Sequence, residues 1–325
     1  MRILLVRLSA LGDVVSGLHA LSAIQARKPE AGIGWLVEDR FAPLLARHPQ
    51  LAALHAYPRR RSGGLFGWLR VAGFLATLRR RRYDLALDLQ GNLKSGLLAR
   101  LSGARHVWGI GPPQSREGNA LFVRRRIDCP AGNRVDAYHA LVEAALGPGP
   151  RPPPQLPAVP TGPPVLALHP GTSRFGAHKR WPGSHFAELG ARLVRRLGLP
   201  AVVTAGPGEE ESAQAVVDAI GRDARLARPG DLRALVDLLA GARLCVAADT
   251  GPAHIAAVLG VPTVTLFGPK DPAVVAPVGP KAVALTASIR CSPCALRHCP
   301  DPACMEALSV ERVEREALAL LGESP

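Results

Sequence analysis

The chain has 325 residues, a length that fits two domains, and 40 Lys and Arg against 26 Asp and Glu give a formal net charge of +14. With 47 % apolar and 20 % charged residues, intrinsic disorder is excluded, and 4 % aromatics argue against single-stranded nucleic acid stacked on aromatic side chains. Residues 1–155 hold 23 basic and 10 acidic side chains, net +13, whereas 156–325 hold 17 and 16, net +1.

Arginine supplies 35 of the 40 basic residues, as GC-rich coding would, but coding bias does not explain why one half holds the excess. Such asymmetry points to an anionic partner for the first half: nucleic acid, an anionic membrane surface or a phosphorylated substrate.

In chain order, residues 3–6 read as a buried strand and 14–26 carry helical periodicity. Further strands are expected at 34–37, 85–89 and 106–108, with helices near 65–81, 93–101 and 135–146. A proline-dense stretch, 147–164, cannot continue a helix or a central strand and reads as a stiff linker. Beyond it, strands at 165–169, 201–205, 244–248 and 263–267 alternate with helices near 183–197, 209–221, 231–240 and 252–259. An amphipathic tail at 308–321 is expected to pack back on the first domain. Short apolar strands without polar alternation are covered on both faces. The expectation is therefore α/β: two Rossmann-like domains, 1–155 and 156–325, facing across a cleft, with ligands at the carboxyl ends of the strands. Apolar runs are interrupted well before the length of a membrane span, and Arg7 and Asp13 break the resemblance of the N-terminus to a signal peptide. A cytoplasmic protein, peripheral to a membrane surface, is expected.

Common nucleotide motifs are missing. There is no P-loop, the turn Leu8-Ser9-Ala10-Leu11-Gly12-Asp13 after the first strand has one glycine rather than three, and no Asp-x-Asp pair occurs. Three other strand-to-helix junctions carry chemistry. In Asp249-Thr250-Gly251-Pro252-Ala253-His254 a helix opens with proline in its first turn, so its free amides suit a phosphate, although Asp249 and Thr250 also fit a plain helix cap. In His169-Pro170-Gly171-Thr172-Ser173 through Lys179-Arg180-Trp181-Pro182, two hydroxyls and a lysine are diphosphate donors, or a solvated loop. In Gly206-Pro207-Gly208-Glu209, an acid at a helix start either answers the dipole or binds ribose hydroxyls.

These segments together, with Arg7-Leu8-Ser9-Ala10-Leu11-Gly12-Asp13-Val14, resemble the bacterial lipopolysaccharide heptosyltransferases, glycosyltransferase family 9, from residue 2 to about 315. The resemblance implies a GT-B architecture and an inverting transfer of heptose from ADP-heptose to the inner core of lipopolysaccharide. It implies Asp13 as general base, for which a helix cap is the plainer alternative. Lys179, with Thr172 and Ser173, would hold the donor diphosphate, and Glu209 the ribose. Asp249, Thr250, Gly251 and His254 would form the donor loop. On the acceptor side it implies the segment 88–95 with Lys94, then Arg116, and more loosely Arg59, Arg60 and Arg61. The implied acceptor is an anionic lipid A/Kdo-type core at the inner membrane surface. No cofactor is implied and no nucleic acid, and no divalent metal is needed.

Four cysteines, Cys291-x2-Cys294-x4-Cys299-x4-Cys304, raise zinc, but without a second Cys-x-x-Cys the spacing matches a zinc ribbon poorly. No metal is therefore expected. Of the arginine runs, Arg79–Arg82 closes a helix and complements its dipole, Arg59–Arg61 precedes a glycine-bearing loop and suits an anionic acceptor, and Arg124–Arg126 reads as a solvated strand end. Two rivals stand beside the transferase: a sugar-nucleotide epimerase of the same architecture, and a basic nucleic-acid-binding protein.

Overall fold

The structure is a computed structural model that describes residues 1–58, 64–116, 118–294, 296, 298–300 and 302–323. The chain divides into two compact units, Met1–Leu156 and Pro157–Pro325. In the first, strands β1 (Arg2–Val6), β2 (Gly32–Glu38), β3 (Ala53–Tyr57), β4 (Leu85–Asp88), β5 (His106–Ile110) and β6 (Arg125–Ile127) form one parallel sheet in the order β3-β2-β1-β4-β5-β6. In the second, β7 (Val165–His169), β8 (Ala201–Thr204), β9 (Ala224–Ala227), β10 (Ala242–Ala248), β11 (Thr263–Phe267) and β12 (Ala282–Thr286) form another, in the order β12-β11-β10-β7-β8-β9, again parallel. Counted from each unit's own first strand, both sheets have the doubly wound order 3-2-1-4-5-6. Each therefore has one switch point, between β1 and β4 and between β7 and β10, where helices leave to opposite faces and a crevice opens at the carboxyl ends.

The central strands are completely buried: Ile3 to Val6, Ala86 and Leu87, Leu166 to Leu168 and Leu244 to Ala248 are all at or near zero exposure. Parallel strands covered by helices on both faces need this continuous apolar sequence. Three strands, β3, β9 and β12, escape the sequence reading, and of β6 only a solvated strand end at Arg124–Arg126 is read; all four are sheet edges. Their exposed residues include Ala56, Arg125, Arg126 and Arg225, so they lack the apolar signature of the inner strands. The stretch expected as one helix at 14–26 is two, Leu11–Ser16 and Leu18–Arg27, with Gly17 between them. A Cβ at Gly17 would lie 2.9 Å from the fully buried Trp35 ring, so only glycine lets the chain pass so close to β2.

The proline-rich connection is tied down at both ends by arginine. Arg27 donates to the carbonyls of Gly147 (3.0 Å) and Gly149 (2.7 Å), and Arg233 donates to Pro157 O at 2.7 Å. Asp237 accepts the Val159 amide at 2.8 Å. The C-terminal helix, Val310–Leu321, buries Val310, Val313, Ala317 and Leu318 in the second unit's own core. Trp181 fixes its entry by donating Nε1–H to Leu308 O at 2.8 Å.

Two buried histidines of the first unit make its stability pH-dependent. His55 bonds Tyr83 Oη at 2.7 Å, and His139 stands edge-on to His19. Burial holds both imidazoles well below their ordinary 6.5, at about 4. The unfolded chain therefore takes up protons from about pH 6.5 downward while the folded unit does not until about pH 4. The stabilisation is complete above pH 6.5 and is lost as pH falls, by about 2 kcal/mol per histidine at pH 5. Urea unfolding should show a midpoint that drops between pH 7 and 5, and a drop that shrinks in His55→Asn/His139→Asn. An equal drop in that variant would remove these residues as its source.

Candidate active site

In the first unit the site residues gather around the β1–β4 switch point. Asp88, the last residue of β4, is fully buried and organises the loop after it. Its carboxylate accepts from the amides of Gln90 (3.0 Å) and Gly91 (3.2 Å), from Ser95 Oγ (2.9 Å) and from Asn119 Nδ2 (2.7 Å). Burial pushes this carboxyl up while the four donors oppose the shift. Gln90 then turns its Oε1 to the amides of Leu8 (2.8 Å) and Ser9 (3.2 Å), so the β4 loop fixes the β1 loop.

Asp13 lies in the first turn of the helix Leu11–Ser16. It accepts the Ala10 amide at 3.3 Å, as a cap would, but both its oxygens are also held by guanidiniums: Oδ2 by Arg7 and Oδ1 by Arg134. The Arg7 side chain is 5 % exposed, against 27 % for Arg134. Arg7 reaches across to Leu89 O at 2.7 Å and lies over the Tyr138 ring, and burial lowers its guanidinium below the ordinary range. Arg7 and Arg134 were not assigned from sequence. The first carries a visible signal, a charge at the end of an apolar strand. The second carries none, because it meets Asp13 across 121 residues of sequence.

Lys94 and Arg116 border the same crevice. Lys94 Nζ stands 3.3 Å from Glu38 Oε1 and over the Tyr57 ring, at the carboxyl ends of β2 and β3, so its charge is already partly answered. Arg116 is exposed, and its amide donates to Gly91 O at 2.7 Å, which places it beside the β4 loop. Arg59, Arg60 and Arg61 lie outside the described residues.

In the second unit the β7–β10 switch point brings together Lys179, Asp249 and His254. Lys179 Nζ pairs with Asp249 Oδ2, and His254 Nε2 is 4.0 Å from Asp249 Oδ1. Thr250 is the N-cap of the helix Gly251–Val258, yet its hydroxyl donates backwards to Ala248 O (3.1 Å) and makes no side-chain bond to the helix amides. The first turn therefore retains amide donors at the positive end of the dipole. Glu209 accepts the Gly206 amide at 2.8 Å and lies 3.8 Å from His169 Nε2, whose ring also bonds Thr204 Oγ1 at 2.9 Å. Burial lowers the His169 imidazole, and the Glu209 charge opposes that shift. Any Cβ at Gly171 would run into the Glu209 carboxylate, so this glycine admits the acid to the β7 loop.

Thr172 departs from the expected role. It is 2 % exposed, its hydroxyl donates to Gly176 O (2.9 Å), and it accepts from Arg180 Nε (3.1 Å). That hydroxyl is used in closing the turn Arg174–Lys179, and Ser173 beside it is exposed and makes no side-chain cap bond to that turn. Of the cysteines, Cys304 is buried in the second core, Cys299 is half-buried, and Cys291 and Cys294 are exposed. Among the described residues no group of three or more His, Cys, Asp or Glu is arranged to hold a metal ion.

Two Rossmann-like domains, each with its polar loops at one switch point, define a fold of GT-B type, that of nucleotide-sugar glycosyltransferases. The family model for glycosyltransferase family 9 (heptosyltransferase) matches residues 71–304. Lipopolysaccharide heptosyltransferase 1 of Pseudomonas aeruginosa is 33 % identical over 99 % of this chain and 98 % of its own length. The enzyme of the same name from Escherichia coli K12 is 30 % identical over 86 % of this chain and 91 % of its own. Among solved structures, E. coli heptosyltransferase WaaC with ADP superposes with a TM-score of 0.83 at 25 % identity, covering 98 % of this chain and 100 % of that one. WaaC has also been solved with ADP-2-deoxy-2-fluoro heptose, with a TM-score of 0.79, 26 % identity, and coverage of 97 % and 98 %. The chain belongs to glycosyltransferase family 9, the heptosyltransferases. Among the described residues no helix is long and apolar enough to cross a membrane.

Proposed function

We propose that this glycosyltransferase moves a heptose from ADP-heptose to the inner core of lipopolysaccharide with inversion at the anomeric carbon. The observation that carries the reading is the pair of switch-point sites, an acid fixed by two arginines in one domain and a lysine beside an open helix start in the other. Relatives that share most of the chain's length carry the name lipopolysaccharide heptosyltransferase, and a similar structure holds ADP. In this reading the second domain, 156–325, takes the donor. Lys179, Ser173 and the amides at Gly251 hold the diphosphate, Glu209 takes the ribose, and Asp249 and His254 face the sugar. The first domain, 1–155, takes the acceptor, a phosphorylated lipid A/Kdo-type core, with Arg59–Arg61, Lys94 and Arg116 answering its charge. That use of the first half's +13 also suits an enzyme working at the inner membrane surface of the cytoplasm.

Asp13 Oδ1 takes the proton of the acceptor hydroxyl as that oxygen bonds to the anomeric carbon, and the bond from that carbon to the diphosphate oxygen breaks with its electron pair leaving on ADP. Arg134, the more exposed of the two clamps, releases Oδ1 for this step, while buried Arg7 keeps the carboxylate oriented. Lys179 and the helix start meet the charge developing on the leaving group, a role that asks for no divalent ion. The test is proton NMR of the product's anomeric centre after incubation with ADP-heptose and a truncated core acceptor. A configuration opposite to the donor's is expected. Retention would overturn the single-displacement reading, and an epimerised donor formed without acceptor would favour an epimerase.

A further inference from the structure

The arginine run Arg79–Arg82 has no part in the site above, and its members are not placed alike. Arg79 donates Nε–H to Leu101 O at 2.9 Å, tying the end of the helix Gly64–Arg80 to the next helix. Arg80 and Arg81 instead line a cavity of about 550 Å³, together with Arg2, over a floor that includes Gly32, Ala52 and Tyr83. Arg2 and Gly32 are the first residues of β1 and β2, so the cavity opens at the amino end of the sheet. Asp13 and the β4 loop lie at the carboxyl end, roughly 17 Å away along a five-residue strand.

Three features suit the cavity to an anion. No acid lines it, and among the described residues neither Arg80 nor Arg81 pairs with a carboxylate. Arg2 is preset, its Nη1–H donating to Arg81 O at 2.8 Å and its amide to Asp84 Oδ2 at 2.8 Å, so little freedom is lost when it takes a ligand. The floor is uncharged. Tyr83 is 3 % exposed and pushed up to about 12, His55 behind it is held at about 4, and the charge of Arg81 reaches both. Like charges on three arginines that line one cavity with a neutral floor repel one another until an anion is placed among them. The volume is also far more than a bare ion needs and falls in the range of small-molecule pockets. Its walls are small residues: a Cβ on Gly32 would find only ordinary contacts, at 3.8 Å from Arg2 and 3.9 Å from Ala52.

We propose that this cavity is a second ligand site of the first domain, taking a phosphate monoester whose phosphate meets Arg2, Arg80 and Arg81 and whose organic part lies over Gly32, Ala52 and Tyr83. A soluble phosphate ester and a phosphorylated lipid headgroup share this chemistry, and the experiment separates them. Calorimetry with glycerol 3-phosphate, on protein saturated with ADP, forms one arm. Flotation with phosphatidylcholine vesicles, with and without phosphatidic acid, forms the other. Two variants are compared with the wild type: Arg80→Ala/Arg81→Ala, which removes charge, and Ala52→Trp, which fills the cavity and leaves every charge in place. Unchanged urea midpoints establish that both variants fold. The expected result is saturable binding in one arm, weakened about tenfold or more by both variants. Loss in the glycerol 3-phosphate arm identifies a soluble ester, and loss only with phosphatidic acid identifies a headgroup. Binding that falls with Arg80→Ala/Arg81→Ala but survives Ala52→Trp would overturn the proposal, because general surface charge would then account for it. No saturable binding in either arm would overturn it too.

Discussion

Asp13→Asn is expected to lower heptose transfer by about three orders of magnitude while the affinity for ADP stays within about twofold of wild type. The amide keeps the shape of the carboxylate and can still accept from the Ala10 amide and from one guanidinium. It cannot take the acceptor's proton, so the loss falls on the chemical step. The same change leaves Arg7 short of a counter-charge at a position where its side chain is 5 % exposed. A stability loss of about 2 kcal/mol should accompany it, below the range for fully buried pairs because Asp13 retains 23 % exposure. The two effects are separable. Turnover is measured at a temperature well below the unfolding transition, and ADP binding is measured by calorimetry on the same preparation. Transfer comparable to wild type would remove Asp13 as the base. A parallel loss of ADP binding would reduce it to a structural cap.

Lys179→Ala is expected to weaken ADP binding by about tenfold to a hundredfold, the scale of one charge-assisted contact to a phosphate. Lys179 also pairs with Asp249, whose side chain is 12 % exposed. Removing the lysine alone leaves that acid, among the described residues, with His254 Nε2 at 4.0 Å. An acid left without its lysine disturbs the loop and lowers affinity by a second route. The double variant Lys179→Met/Asp249→Asn answers this by removing both charges. Its urea midpoint should return toward wild type, whereas its ADP affinity should stay low. Recovery of affinity together with stability would show that Lys179 acts only through Asp249, and an unchanged affinity in Lys179→Ala would refute the diphosphate role outright.

What was legible in the sequence follows from where the information lies along the chain. The inner strands announce themselves because burial on both faces demands unbroken apolar runs, and the loops after β1, β7 and β10 are read from the residues that directly follow those runs. Asp13, Lys179 and Asp249 were accessible for that reason. Edge strands such as Ala224–Ala227 were not, since one side of them meets solvent. Partners from distant elements were hidden as well. Nothing near Asn133 signals that Arg134 will reach Asp13, and nothing near Asn119 signals the buried Asp88, 31 residues away. Thr172 shows the converse limit. A hydroxyl in a polar loop suits a phosphate equally well whether it faces outward or, as here, closes its own turn against Gly176 O. The Arg79–Arg82 run looked complete as an answer to the helix dipole, and only the fold separates Arg79 from the two arginines that turn into a cavity.

Heptose transfer itself is read by mass spectrometry of a heptose-free core acceptor incubated with the protein and ADP-heptose in the presence of a chelator. One added heptose per acceptor and stoichiometric release of ADP are expected, both lost in Asp13→Asn. An unmodified acceptor, with the same preparation binding ADP normally, would contradict the proposed transfer.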